Sequence, residues 1–361
     1  MIRDLYVRSE PWRADAAGTT RTWAIALALL VGFLTSTEAA EPVELPIGDT
    51  KLFSLAYSPD GKQLALGTGG ATPSVKVIEI STKKEIHDFP CEGRGAGFTV
   101  AFSPDGKLIA FGDYDLSVKV RRLQDGSEVA SLPGDPDRKK YRQARRVAFG
   151  TDSKQLVVGY STGEVFVWDL AGSKVAVRFD HGYEIAALAV SPDGKLIATG
   201  TDFGLRLWNA ADGTPVVKVD VTSSGEYQVQ AIAFMPDGKS VVTGDSPGFL
   251  RVIATNDGKK MAARGNGTPV SGLGITKNGE SIVLPSLISG LDSKRPAVLQ
   301  EGIVVMDAKY LRPRSFLATG SARLFALSPD GKTVALNTGD KGDSVMLHDL
   351  GSAKDLAPPK K

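Results

Sequence analysis

A five-residue phrase recurs along the chain: Ser58-Pro-Asp-Gly-Lys62 returns as Ser103 to Lys107, Ser191 to Lys195, Met235 to Lys239 and Ser328 to Lys332. Two weaker copies, Gly150-Thr-Asp-Ser-Lys154 and Thr276-Lys-Asn-Gly-Glu280, fill the gaps, so seven anchors follow one another at intervals of 45, 47, 41, 44, 41 and 52 residues. A period of roughly 40–45 residues is that of a propeller blade. The phrase also carries its own local chemistry: Pro presets φ, Asp bonds backbone two residues on, and Gly takes a positive φ, which together make a tight turn between strands.

Alternating or β-branched runs flank the anchors as this requires, with Ala186 to Val190 and Gln230 to Phe234 before them and Leu196 to Thr199 and Ser240 to Thr243 after. A third strand follows each anchor, for example Val165-Phe-Val-Trp168, Leu205-Arg-Leu-Trp208 and Val345-Met-Leu-His348. A more polar fourth, as in Val175 to Arg178, ends most repeats and suits an outer edge. The chain is therefore expected to be all-β: a seven-bladed propeller of four-stranded antiparallel blades over residues 41–350, followed by a polar C-terminal tail, 351–361. The seventh repeat lacks an outer strand. The segment Pro42 to Ile47 is expected to supply it and close the ring, its prolines being tolerable on an edge strand.

These repeats resemble the WD-repeat propeller family, and the fourth matches it most completely. It carries His181, Thr199, Asp202 and Trp208 in the family's spacing. The resemblance implies that these four form a hydrogen-bonded set linking the strands of one blade, a structural role. A second Trp-Asp pair stands at Trp168-Asp169, and the sixth repeat is degraded.

Residues 1–40 read differently. Trp23 to Leu34 is an unbroken apolar run preceded by Arg21, with small residues at Thr37 and Ala39. About twelve residues is too short to cross a bilayer, so the segment is expected to be a signal peptide or an uncleaved anchor. Export to the periplasm or beyond follows, with no membrane span after cleavage. A single cysteine, Cys91, leaves no intrachain disulfide and no Cys-x-x-Cys metal pair.

Several motifs fit a bland reading better than a chemical one. Gly244-Asp-Ser-Pro-Gly248 satisfies G-x-S-x-G, yet the repeat places it between two strands, where a nucleophile elbow needs a strand-to-helix turn. Gly93 to Gly97 leads into a strand and so lacks the helix of a dinucleotide fingerprint. The acidic stretches at Asp113 to Asp115, Asp135 to Asp137 and Asp340 to Asp343 lack calcium-loop spacing. Among three histidines, His87, His181 and His348, none is placed as a general base. No catalytic residue, metal or cofactor is implied. Forty-three basic against forty-one acidic residues, with no long run of one sign, argue against nucleic acid as partner. The basic cluster of Lys139, Lys140, Tyr141, Arg142, Arg145 and Arg146 reads as a solvated loop.

A binding face can still be located by counting two residues past the His181 position in each repeat, which gives Thr50, Gly95, Arg142, Tyr183, Tyr227, Thr268 and Gly320. Arg142, Tyr183 and Tyr227 fall on consecutive blades and are of the types enriched at binding hot spots. Phe203 and Tyr114 are expected to join them. The expected role is a monomeric, non-enzymatic scaffold for a protein or peptide. The competing reading is a propeller enzyme, lactonase-like or another hydrolase, with a site at the mouth of the central channel.

Overall fold

The computed structural model describes residues 41–356 apart from 46, 48–49, 92–98, 114–115, 134–141, 221–227, 290–298, 323 and 339–343. The expected signal peptide thus lies outside the described residues.

Each anchor forms the turn its residues dictate. The Ser58 hydroxyl donates to Asp60 Oδ1 at 2.6 Å and accepts from the Gln63 N–H at 2.9 Å, while Asp60 Oδ1 also accepts from the Lys62 N–H at 3.0 Å. Gly61 sits at φ +72°, the left-handed region that a side chain resists. The same contacts recur at Ser103, Ser191 and Ser328. The weak third copy keeps the Asp152 bond to the Lys154 N–H but places Ser153, not glycine, at φ +61°.

Seven antiparallel sheets result. Blade three, for instance, runs Ala144–Phe149, Gln155–Tyr160, Glu164–Asp169 and Lys174–Asp180; blade four runs Ala187–Val190, Leu196–Thr201, Gly204–Asn209 and Pro215–Asp220. The ring closes as the missing seventh outer strand required. Val43–Leu45 pairs antiparallel with Ser344–Asp349, in the register Val43 to Leu347. Leu45 is fully buried in a cluster with Leu64, Leu66 and Leu347, which ties the first blade to the last.

The long interval between the sixth and seventh anchors is taken up by two nine-residue strands, Ser281–Ser289 and Leu299–Asp307. Blade six also gains a fifth strand: Lys354 and Asp355 pair with Phe316 and Ser315, an edge pairing that the polar composition of residues 351–361 did not announce. No helix among the described residues is long and apolar enough to cross a membrane.

The core is distributed. Each of the seven apolar clusters spans two neighbouring blades, such as Val157, Val167 and Phe179 of blade three with Ile197 and Trp208 of blade four. Close stacking needs a small residue where one blade's second strand meets the next blade's inner strand. A Cβ on Gly200 would stand 2.6 Å from Val229.

Candidate functional site

All seven blades line a central channel of about 290 Å³, two or three residues from each, among them Leu55, Thr99, Arg146, Leu188, Gln230, Gly272 and Phe325. It opens into a mouth of about 550 Å³ bordered by Phe53, Arg145, Arg146, Glu184, Asp202 and Gln228 among others. Register shifts build this mouth. The inner strands of blades one, three and five each carry an irregularity, between Leu52 and Ser54, Ala144 and Arg146, and Val229 and Ala231. The residue inside each irregularity, Phe53, Arg145 and Gln230, lines the mouth. A bulge breaks the two-residue alternation and re-aims a side chain, which lets both Arg145 and Arg146 border one cavity.

Charges at the mouth are unevenly satisfied. Arg145 Nε donates to Glu184 Oε1 at 2.6 Å, forming an ion pair across blades three and four. Arg146 is half-buried and donates through one terminal nitrogen to the Arg145 carbonyl oxygen at 2.7 Å. Burial holds its pKa below the ordinary value, and the Arg145 charge adds to this while Glu184 opposes it. Gln230 Nε2 donates to Gln228 Oε1 at 3.2 Å on the blade-five side of the mouth. At the rim, Tyr183 and Phe203 are 48% and 46% exposed, with ring centroids 3.9 Å apart. Together they form an aromatic ledge beside Glu184 and Asp202.

The structure places the expected binding residues unequally. Tyr183 and Phe203 do come together. Arg142 does not join them, because it is 3% exposed: its guanidinium turns into blade three and pairs with Glu164, the first residue of the third strand there. Tyr227 and Tyr114 lie outside the described residues, as do Lys139, Lys140 and Tyr141 of the basic cluster. Arg145 and Arg146, read from sequence as part of a solvated loop, are the members of that cluster at the mouth. Their adjacency at the start of a predicted strand was the only visible signal, and the bulge that makes it matter is invisible in sequence.

The hydrogen-bonded set of blade four also differs from expectation in one member. Thr199 Oγ1 lies 2.8 Å from His181 Nδ1 and accepts from Trp208 Nε1 at 2.8 Å, all three residues being buried. Asp202 is not part of it. Thr201 pairs directly with Gly204, so residues 202 and 203 form the tip of a two-residue hairpin and face solvent. The Thr201 hydroxyl, 3.5 Å from His181 Nε2, takes the place expected for the carboxylate.

Gly244 to Gly248 joins Ser240–Asp245 to Phe249–Ala254, a strand-to-strand hairpin that offers no nucleophile elbow. His87 Nε2 lies 2.6 Å from the Leu123 carbonyl oxygen, and His348 is buried where Trp208 stands in blade four.

Comparison with known proteins places this geometry. Residues 50–263, more than half of the chain, match the family described as Nucleolar protein 10-like, N-terminal domain, a β-propeller. Telomerase protein component 1 of Rattus norvegicus is 26% identical over 86% of the chain, which spans only 11% of that protein's length. Guanine nucleotide-binding protein subunit beta-2 of Nicotiana tabacum is 38% identical over 68 residues, 17% of this chain and 18% of its own. A chain of a mitotic checkpoint complex crystal structure superposes with a TM-score of 0.70 at 16% identity, covering 96% of this chain and 99% of its own, a likeness of fold. These matches overturn the expectation of export, since the matching family is nucleolar by name and the relative aligned over most of the chain is a telomerase component, both intracellular. The chain belongs to the family of the Nucleolar protein 10-like N-terminal domain, within the WD-repeat β-propellers.

Proposed function

We propose that this chain is a non-enzymatic WD-repeat scaffold that docks an extended segment of a partner protein across the mouth of its channel. The Tyr183–Phe203 ledge carries the reading: two large rings lie almost half exposed, in tilted contact with each other, at the rim of a polar cavity. Rigid aromatic rings beside a concave polar site are what binding hot spots are made of, because they offer large contact area at low entropic cost. Tyr227 and Tyr114 enter the proposal on the repeat count alone. The chain acts as a monomer in this reading, and its near-balanced charge argues against a nucleic-acid partner.

Selection of a displayed peptide library on the full chain tests the proposal. Wild type is expected to enrich a peptide set that Tyr183→Ser/Phe203→Ser fails to retain. Truncating one hot spot commonly costs about 2 kcal/mol, roughly thirty-fold in affinity. The melting midpoint should hold, since both rings are half exposed. Equal enrichment on wild type and double variant would remove the ledge as the docking surface.

A further inference from the structure

The arginines of blade three differ in how their charge is answered, and two of them, Arg145 and Arg146, line the channel mouth. Arg142 and Arg178 both pair with Glu164, and Arg145 pairs with Glu184. Arg146 borders both the channel and its mouth, and no carboxylate of the described residues lies within ion-pair distance of it. A guanidinium stays protonated at any physiological pH, so this is a fixed positive charge taken partly out of water. Its remaining N–H donors form a planar fork suited to a carboxylate, and Gln228, Gln230 and Ser271 around it add neutral polar groups.

We propose that the channel mouth is a carboxylate site, in which Arg146 receives an acidic side chain of the segment that docks on the Tyr183–Phe203 ledge. This rests on the docking reading above and names the partner's chemistry: an acidic peptide. Two carboxylates already border the mouth. Glu184 is committed to Arg145, and Asp202 sits exposed at the hairpin tip, outside ion-pair reach of Arg146. Asp202 therefore acts as a like charge at the entrance, which weakens a bound carboxylate without replacing it.

The test is a titration of the full chain, labelled with ¹⁵N-arginine, while the Arg146 side-chain resonance is followed by NMR. The probes are N-acetylglutamate amide, its neutral isostere N-acetylglutamine amide, and inorganic phosphate. The glutamate derivative is expected to shift Arg146 saturably at a concentration about ten-fold below the glutamine derivative, as a charge-assisted contact requires. Read at the neighbouring Arg145 side-chain resonance, which borders the same mouth, Arg146→Gln should abolish the saturable shift and Arg146→Lys should retain part of it, while Asp202→Asn, read at Arg146, should lower the half-saturating concentration about two-fold by removing a screened repulsion. Equal responses to the two amino-acid derivatives would overturn the proposal. So would saturation by phosphate with no competition from the glutamate derivative, which would make this an inorganic-anion site. These single-residue probes read Arg146 and not the aromatic ledge. A failed peptide selection with a saturable glutamate response would therefore sink the docking reading alone, and the converse result the carboxylate site alone.

Discussion

Blades three and four are neighbours that hold their strands together by different means. In blade four the link is a neutral hydrogen-bonded set, His181 to Thr199 to Trp208, with Phe179 stacked on the indole at 4.5 Å. In blade three the register puts Trp168 where Trp208 stands but Val158 where Thr199 stands. The Trp168 indole N–H and the Tyr160 hydroxyl, both buried, face each other outside hydrogen-bonding geometry. An edge-to-face Tyr160–Phe166 contact at 5.0 Å and a charged network take over. Glu164 accepts from Arg142 and Thr162 at 3.0 Å each and pairs with Arg178, while both guanidiniums lie over the Phe166 ring at 5.5 and 5.1 Å. Blade five uses a third solution, a fully buried Asp245 paired with Arg251. What a blade requires at this place is filled volume with its buried charges answered, and several residue sets meet that requirement.

The largest effect expected from breaking this contrast is in blade three. Glu164→Ala strands the buried Arg142 charge, and removing one partner of a buried pair costs about 3–5 kcal/mol, readable by urea unfolding. Its pH dependence separates the two blades further. Burial pushes the Glu164 pKa up, but the bonds from Arg142, Arg178 and Thr162 outweigh it and hold the carboxyl below its ordinary value. A depressed folded-state pKa gives stability that is present above the unfolded value, about 4.3, and is lost as pH falls through the folded value. Wild type should therefore lose stability more steeply with acid than Glu164→Ala; parallel acid curves would show that the network adds nothing.

Trp208→Ala comes next, at about 3 kcal/mol, because a buried indole leaves a cavity that Phe179 fills only in part. Thermal melting checks it, and the loss should be independent of acid over the range where Glu164 titrates. An unchanged midpoint would mean that blade four does not depend on its neutral set.

The smallest effect sits at the weak anchor of blade three. Ser153→Gly relieves a non-glycine residue at φ +61° and should stabilise by up to about 1 kcal/mol, less whatever is lost when the Ser153 hydroxyl no longer accepts from the Asp105 N–H at 3.2 Å. A melting midpoint that falls would show the inter-blade bond to outweigh backbone strain.

The residues that could be read in advance share a property: their roles depend on near neighbours. The anchors form as written because Ser, Asp and Gly within five positions satisfy one another, and the strands follow from alternation over a few residues. Closure by Val43–Leu45 was legible because the seventh repeat was one strand short. Arg142 was misread for the opposite reason. Its exposure is decided by Glu164, twenty-two positions away on a different strand. Asp202 was misread because a family spacing says which residues are present and not which side of a two-residue hairpin each faces.

The sequence by itself determined the number of blades, the order of strands within them and the turns between them, since these express dihedral preferences and apolar periodicities repeated every forty-odd residues. Only the tertiary structure decided what the mouth of the channel is made of. The bulges that turn Phe53, Arg145 and Gln230 inward arise where each inner strand meets its neighbour, and the pairing of Arg145 with Glu184 spans two blades. Whether a charge is answered or left open depends on partners that only the closed ring brings within reach, and that is why Arg145 and Arg146, adjacent and identical in sequence, meet different fates.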